Sequence, residues 1–335
     1  MFNSLRQIIK KGLIRLSSVN CSYAIAVIVG LSFLSVSFQL AALDVFDKKD
    51  ILYMDMIKNY GDNISLKFPI DVYAADNGDI YIIDSGPNKI WVFNEHLLPV
   101  SVIDKTNGLE YPISIAVNKK GMIFVSESTP GKSQKGGITI FDHTGRKKGA
   151  IHFKGFPGFE NFVAKDMAID DEGNLYLAGG SSGPLIIMTS EGKFIKSIQP
   201  VKRTQTGKEI KADVIRVDLK EDLIYLLSEW EGQIYVYNRN GDEINVFGKK
   251  GGSPGKLNRP QGMTVDPMDG MIYVMDYMRH TLLVYDQSGS FMNEFGGEGW
   301  APGWFNYPKD ICIDNQGRLF VADAFNKRVQ IFKTR

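Results

Sequence analysis

The chain is poor in cysteine, with only Cys21 and Cys312 in 335 residues, so no disulfide framework can hold it together. Histidine is nearly as scarce. His96, His143, His152 and His280 are the whole complement, too few and too scattered for a zinc centre built from several converging imidazoles. Neither sign of charge dominates either, with 39 basic residues against 38 acidic. Four of the bases, Arg6, Lys10, Lys11 and Arg15, precede residue 44, where no acid occurs. The remainder is therefore slightly acidic, which argues against a nucleic-acid partner, since such partners are held mostly by neutralising phosphates. Charge is missing altogether between residues 16 and 43. Within that gap, residues 23–43 (YAIAVIVGLSFLSVSFQLAAL) form an apolar run long enough to cross ~30 Å of hydrocarbon as a helix.

That run is expected to be an uncleaved signal-anchor helix. A cleaved signal peptide needs small residues at the third and first positions before the cut. Cutting after Ala42 places Leu40 at the third position, and cutting after Ala41 places Gln39 there. With all four early cations ahead of the run, residues 1–22 are expected in the cytoplasm and residues 44–335 outside it, in the periplasm or extracellular space. Cleavage would instead leave a secreted protein. Cys21 precedes the apolar run, which disfavours lipoprotein-type acylation. Asn63, Ile64 and Ser65 form an N-glycosylation acceptor that matters only in a eukaryotic secretory setting.

The rest of the chain repeats. A strand, a tight polar turn and a second strand recur as FPIDVYAADNGDIYIID (68–84), YPISIAVNKKGMIFVSE (111–127), AKDMAIDDEGNLYLAG (164–179), ADVIRVDLKEDLIYLLS (212–228), RPQGMTVDPMDGMIYVMD (259–276) and YPKDICIDNQGRLFVAD (307–323). A period of this length with alternating apolar residues and Asn-Gly or Gln-Gly turns points to propeller blades. A third apolar strand follows each copy and a fourth follows most, giving four antiparallel strands per unit. The sixth copy ends after its third strand, so residues 51–57 (ILYMDMI) are expected to supply the missing outer strand and close the ring.

The fifth and sixth copies resemble the NHL repeat. In FGGEGWAPGWFNYPKDICIDNQGRLFVADAFNKRVQIF (295–332) the glycine-rich approach, the Phe-Asn-x-Pro start, the Asp-x-x-Gly turn and the Ala-Asp-x-x-Asn-x-Arg junction match that family's pattern. The third and fourth copies depart from it, with Ala164 and Ala212 for the leading proline and Gly179 and Ser228 for the junction acid. The resemblance implies an all-β, six-bladed propeller over residues 65–335, joined to the membrane helix by a linker and ring-closing strand at 44–64. It implies less about activity, because NHL propellers serve as ligand sensors, as protein or RNA interaction platforms and, in one branch, as a zinc-dependent peptidyl-α-hydroxyglycine lyase.

In a blade, the connection to the next blade and the loop between the second and third strands lie on one face. The irregular segments 128–136, 152–163, 199–211, 249–258 and 296–306 all fall there, which makes it the expected binding face. Trp300 and Trp304 are candidate walls for a peptide or glycan. Around the channel mouth, Ile70, Ile113, Lys165, Asp213, Gln261 and Lys309 lead the inner strands, and Asp71, Asp166 and Asp310 follow. Such a mixed apolar and charged ring suits a ligand pocket better than a metal cage. No catalytic motif, metal site or cofactor is indicated. The expected function is extracytoplasmic recognition of a protein, peptide or envelope polymer, with a metal-assisted hydrolase or lyase in the channel as the alternative.

Overall fold

The computed structural model describes residues 50–335 except 62–63, 129–135, 154–161, 180–182, 205 and 335. The basic segment at 1–22, the apolar run at 23–43, Asn63, and most of the loops at 128–136 and 152–163 lie outside the described residues. Among those described, no helix is long and apolar enough to cross a membrane.

Six four-stranded antiparallel sheets make up the fold. Blade 1 runs Pro69–Ala74, Ile80–Asp84, Lys89–Phe93 and Pro99–Ile103 from its inner to its outer edge. Blade 2 runs Pro112–Val117, Ile123–Ser128, Gly136–Phe141 and Lys147–His152. Blade 3 consists of Asp166–Ile169, Leu175–Ala178, Leu185–Met188 and Phe194–Ile198. Blade 4 consists of Arg216–Lys220, Leu223–Ser228, Gln233–Asn238 and Glu243–Phe247. Blade 5 has Pro260–Val265, Ile272–Asp276, Thr281–Tyr285 and Phe291–Gly296. Blade 6 has Asp310–Ile313, Arg318–Asp323 and Arg328–Thr334, and its outer strand is Ile51–Ile57, paired from Ile51 with Thr334 to Ile57 with Val329. The two ends of the described chain thus share one sheet, and no blade is left with three strands.

Local chemistry sets the hairpins. Between the third and fourth strands the first turn residue bonds back to the amides two and four positions on, as Asn94 does to His96 and Leu98, Asp142 to Thr144 and Arg146, Asn238 to Asn240 and Asp242, and Asp286 to Ser288 and Ser290. Such side-chain-to-amide bonds substitute for a backbone turn. The second and third strands of each blade are buried on both sides, and apolar clusters fill the interfaces between neighbouring blades. Burial at ~25 cal/mol per Å² of apolar surface is what holds a ring of sheets that share few backbone hydrogen bonds with each other.

Strand direction divides the molecule into two faces. Inner strands run from the face carrying the blade-to-blade connections (the loop face) to the face carrying the first-to-second and third-to-fourth turns (the turn face). Two added hairpins, Asn59–Tyr60 with Ile64–Ser65 and Val201–Arg203 with Glu209–Lys211, are inserted in the connections leading into blades 1 and 4, and Tyr60 of the first packs on Trp91 and Phe93 in the third strand of blade 1. The described chain enters at Asp50 on the turn face.

Candidate functional site

The inner strands bring Asp71, Ser114, Asp166, Arg216, Gly262 and Asp310 to equivalent positions, since they pair in turn with Ile83, Ser126, Ala178, Leu227, Met275 and Ala322. Their carboxylates bind across blade boundaries. Asp310 accepts from the Val72 amide at 3.1 Å, Asp71 from Ile115 at 3.1 Å and Asp166 from Val217 at 2.8 Å. Two residues further along blade 4, Asp218 continues the pattern by accepting from the Val265 amide at 2.8 Å and the Thr264 hydroxyl at 3.1 Å. Ser114 completes it with a hydroxyl bond to Asp166 at 3.2 Å. At the remaining junction Gly262 lets the strands close up, because a Cβ there would sit 2.8 Å from the Asp310 Cα.

Arg216 stands in the middle of this belt. Its Nε lies 3.2 Å from Asp310 Oδ1, close enough for an ion pair but not aligned as a hydrogen bond. Its terminal nitrogens donate to the carbonyls of Lys165 at 3.2 Å, Ile215 at 3.3 Å and Lys309 at 3.1 Å. Those carbonyls belong to the residues leading three inner strands, so the guanidinium closes the channel on the loop-face side. Burial works against its charge, but Asp310, Asp166 and Asp71 outweigh it and hold Arg216 protonated. The three carboxyls share one cation. Burial, with the neighbouring Asp310 and Asp166, pushes Asp71 well above the usual carboxylate range. Burial also raises Asp310 to about 6 in spite of Arg216.

On the other side of the belt the channel opens into a cavity of about 220 Å³. Its walls run from Asp71, Asp166 and Asp310 past Tyr73, Asp218, Thr264 and Cys312 to Asp76, Pro267 and Asn315 on the turn face, with no histidine in the lining. Burial raises Asp218 to about 6 and pushes the Cys312 thiol well up. Among the described residues, no group of three or more His, Cys, Asp or Glu side chains is placed to hold a metal ion.

The structure therefore gathers Asp71, Asp166 and Asp310 at the axis, as structural acceptors below the mouth. Lys165 is exposed at the mouth, Gln261 is half-buried, and Lys309 is half-buried with its ammonium 4.2 Å from the centre of the Tyr277 ring. Asp213 does not lead the fourth inner strand; Ile215 occupies that position, as the pairing of Arg216 with Leu227 shows. Asp213 lies two residues earlier, buried, and accepts from the Ser228 hydroxyl at 2.5 Å and the Glu229 amide at 3.0 Å. This exchanges the partners found in other blades. There the acid sits at the end of the second strand and accepts from the segment leading the inner strand, as Asp84 does from the Lys67 and Phe68 amides and Asp323 does from Asn306. In blade 3 the acid is replaced by Gly179 because the Phe162 ring fills its place, with a Cβ on Gly179 falling 2.1 Å from that ring.

Trp300 and Trp304 sit on the loop face, 79% and 49% exposed, while their carbonyls are fixed by Arg328, which donates at 2.8 Å to each. Arg328 is itself buried against Asp323 at 2.7 Å. Trp230, 74% exposed, lies on the same face beyond the second strand of blade 4. Pattern reading of the repeat did not single out Arg216, Asp218, Tyr277 or Trp230. Arg216 was signalled only as a lone cation inside an apolar inner strand.

Residues 262–333, which cover most of blades 5 and 6, match a family model described as "6-bladed beta-propeller" (DUF5128). No curated protein matches the chain at the sequence level. Among solved structures, a protein of unknown function from Bacteroides thetaiotaomicron superposes with a TM-score of 0.64 at 15% identity, covering 86% of this chain and 77% of that one. An auxiliary nutrient binding protein from the same organism gives 0.63 at 12% identity over 86% and 77%. Virginiamycin B lyase from Staphylococcus aureus gives 0.58 at 10% identity over 85% and 99%. These likenesses establish the six-bladed propeller fold.

Proposed function

We propose that the chain is a membrane-anchored propeller of NHL type whose loop face recognises a protein, peptide or envelope polymer in the extracytoplasmic space. The observation that carries this reading is the exposure of Trp230, Trp300 and Trp304 on one face, the last two on a backbone pinned by Arg328. Large exposed aromatics on a rigid scaffold are favoured in recognition, because they bury much area at little entropic cost. The axial carboxylates, by contrast, are engaged with Arg216 and with amides of the next blade, which leaves them poorly disposed for chemistry in the channel. The apolar run at 23–43 behind a basic segment supports the anchor and the outward placement of the ring. The Asp-x-x-Gly turns and junctions of blades 5 and 6 support the NHL type. A structural neighbour described as a nutrient binding protein agrees with a binding role, by analogy of fold alone.

Photo-crosslinking in native membranes tests the reading. A benzophenone side chain placed at position 300, 304 or 230 is expected to form discrete adducts, while one at Met268, 73% exposed on the turn face, forms none. Adducts at position 268 alone, or at no position, would count against recognition by the loop face.

A further inference from the structure

The loop face is not uniform around the ring. Over blades 5, 6 and 1 it carries an unbroken series of ring contacts. Phe68 meets Phe325 with centroids 5.2 Å apart, Phe325 meets Tyr307 at 4.9 Å, and Tyr307 meets Tyr277 at 4.8 Å. Phe325 is 47% exposed, and Phe68, Tyr307 and Tyr277 are half-buried. Tyr307 is held there at a positive φ of 48°, a conformation disfavoured for an aromatic residue, with its amide donating to His280 Nδ1 at 3.0 Å.

Two cations border the Tyr277 end of the series. The Lys309 ammonium lies 4.2 Å and the Arg259 guanidinium 5.8 Å from the ring centre. Arg259 pairs with Glu229, but among the described residues Lys309 has no carboxylate within ion-pair distance. Burial first, then Arg216 and Arg259, lower its pKa against the smaller opposing pull of Glu229, so Lys309 is a cation in surroundings that on balance disfavour its charge. An arriving anion relieves that cost, and the adjoining rings, tilted 39° to 71° to one another, offer apolar faces and edges to whatever carries it.

We infer that this part of the loop face is a subsite for a carboxylate borne on a six-membered ring with an apolar face, either an acidic sugar or an aromatic acid. The carboxylate pairs with Lys309 beside Arg259, and the ring packs beside Tyr277 and Tyr307. The inference rests on the loop face being the recognition surface and names part of what that surface recognises.

The full-length chain in detergent is titrated calorimetrically with trigalacturonate, with neutral maltotriose and with benzoate. Trigalacturonate or benzoate is expected to bind at least about tenfold more tightly than maltotriose, and the tighter of the two identifies the source of the acid. Lys309→Met and Tyr277→Ala are each expected to weaken that ligand about tenfold or more. The ammonium of Lys309, followed by NMR after reductive methylation of the lysines, is expected to titrate at higher pH when the acid is bound. Tyr277→Phe keeps the ring and guards against misfolding as the cause, and it is expected to retain binding. Equal affinity for maltotriose and the acids, no binding of either acid, or indifference to Lys309→Met would overturn the subsite. Crosslinks at position 300 surviving alongside such a failure would show that only the subsite, and not the loop-face reading, is wrong.

Discussion

Asp213 and Ser228 show how a single pair of side chains can trade places while the hydrogen bonds of a repeat are kept. In blades 1, 5 and 6 the acid at the end of the second strand collects amides from the segment leading the inner strand; in blade 4 the acid sits in that segment and collects the Ser228 hydroxyl and the Glu229 amide. Removing a buried acceptor leaves its donors unmet, so Asp213→Ala is expected to cost about 1–3 kcal/mol in urea denaturation. The exchange Asp213→Ser with Ser228→Asp rebuilds the arrangement of the other blades and is expected to recover at least half of that loss. An exchange as unstable as the single variant would refute the equivalence. The same pair explains why aligning the fourth copy by its residues alone misplaces Asp213 at the channel mouth. That copy has an acid near the expected position, but the strand pairing shifts the true position to Ile215, which no residue type betrays. Charge burial is also felt at single residues. Asp218 is raised by burial to about 6, above its unfolded value, so its native form binds the proton more tightly. Its share of stability is full below the ordinary carboxylate range and fades as pH rises through about 6, by at most on the order of 3 kcal/mol. Asp218→Asn is expected to be more stable than the parent at pH 7 and to flatten the fall in melting temperature between pH 4 and pH 7. An unchanged slope would contradict the assignment.

At the scale of elements, the ring depends on one strand from the other end of the described chain. Ile51–Ile57 covers the outer edge of Arg328–Thr334, and Ile57 enters the apolar cluster between blades 6 and 1. Deleting residues 51–57 exposes that edge and opens the cluster, and is expected to abolish the cooperative thermal transition followed by circular dichroism. A preserved transition would show that the ring closes without it. Strands and turns were legible in the sequence because alternation, Asn-Gly turns and a period near 48 residues are local signals. The axial belt was legible only in part. Asp71, Asp166 and Asp310 stand out as acids in apolar strands, yet their engagement with Val72, Ile115 and Val217 comes from neighbouring blades, which no single repeat encodes. Arg216, the group that closes the channel, stands where three of the six repeats have an acid and two have Ser114 and Gly262, and only its convergence with three carboxylates shows what it does.

Taken as a whole molecule, the propeller separates two environments along one axis. On the turn face, a cavity of about 220 Å³ ends at the acid belt and Arg216. On the loop face, a fixed backbone presents Trp230, Trp300, Trp304 and Phe325 outward, opposite the point where the described chain enters. The proposed recognition belongs to the second of these surfaces, whereas the groups that close the first serve the fold. The most direct test is hydrogen–deuterium exchange of the full-length chain, compared between native membranes and detergent-purified protein. Slower exchange in membranes at 229–232, 296–306 and 324–327, with the turns at 94–98, 142–146 and 266–271 unchanged, is the predicted result. Protection confined to those turns, or identical exchange throughout, would contradict it.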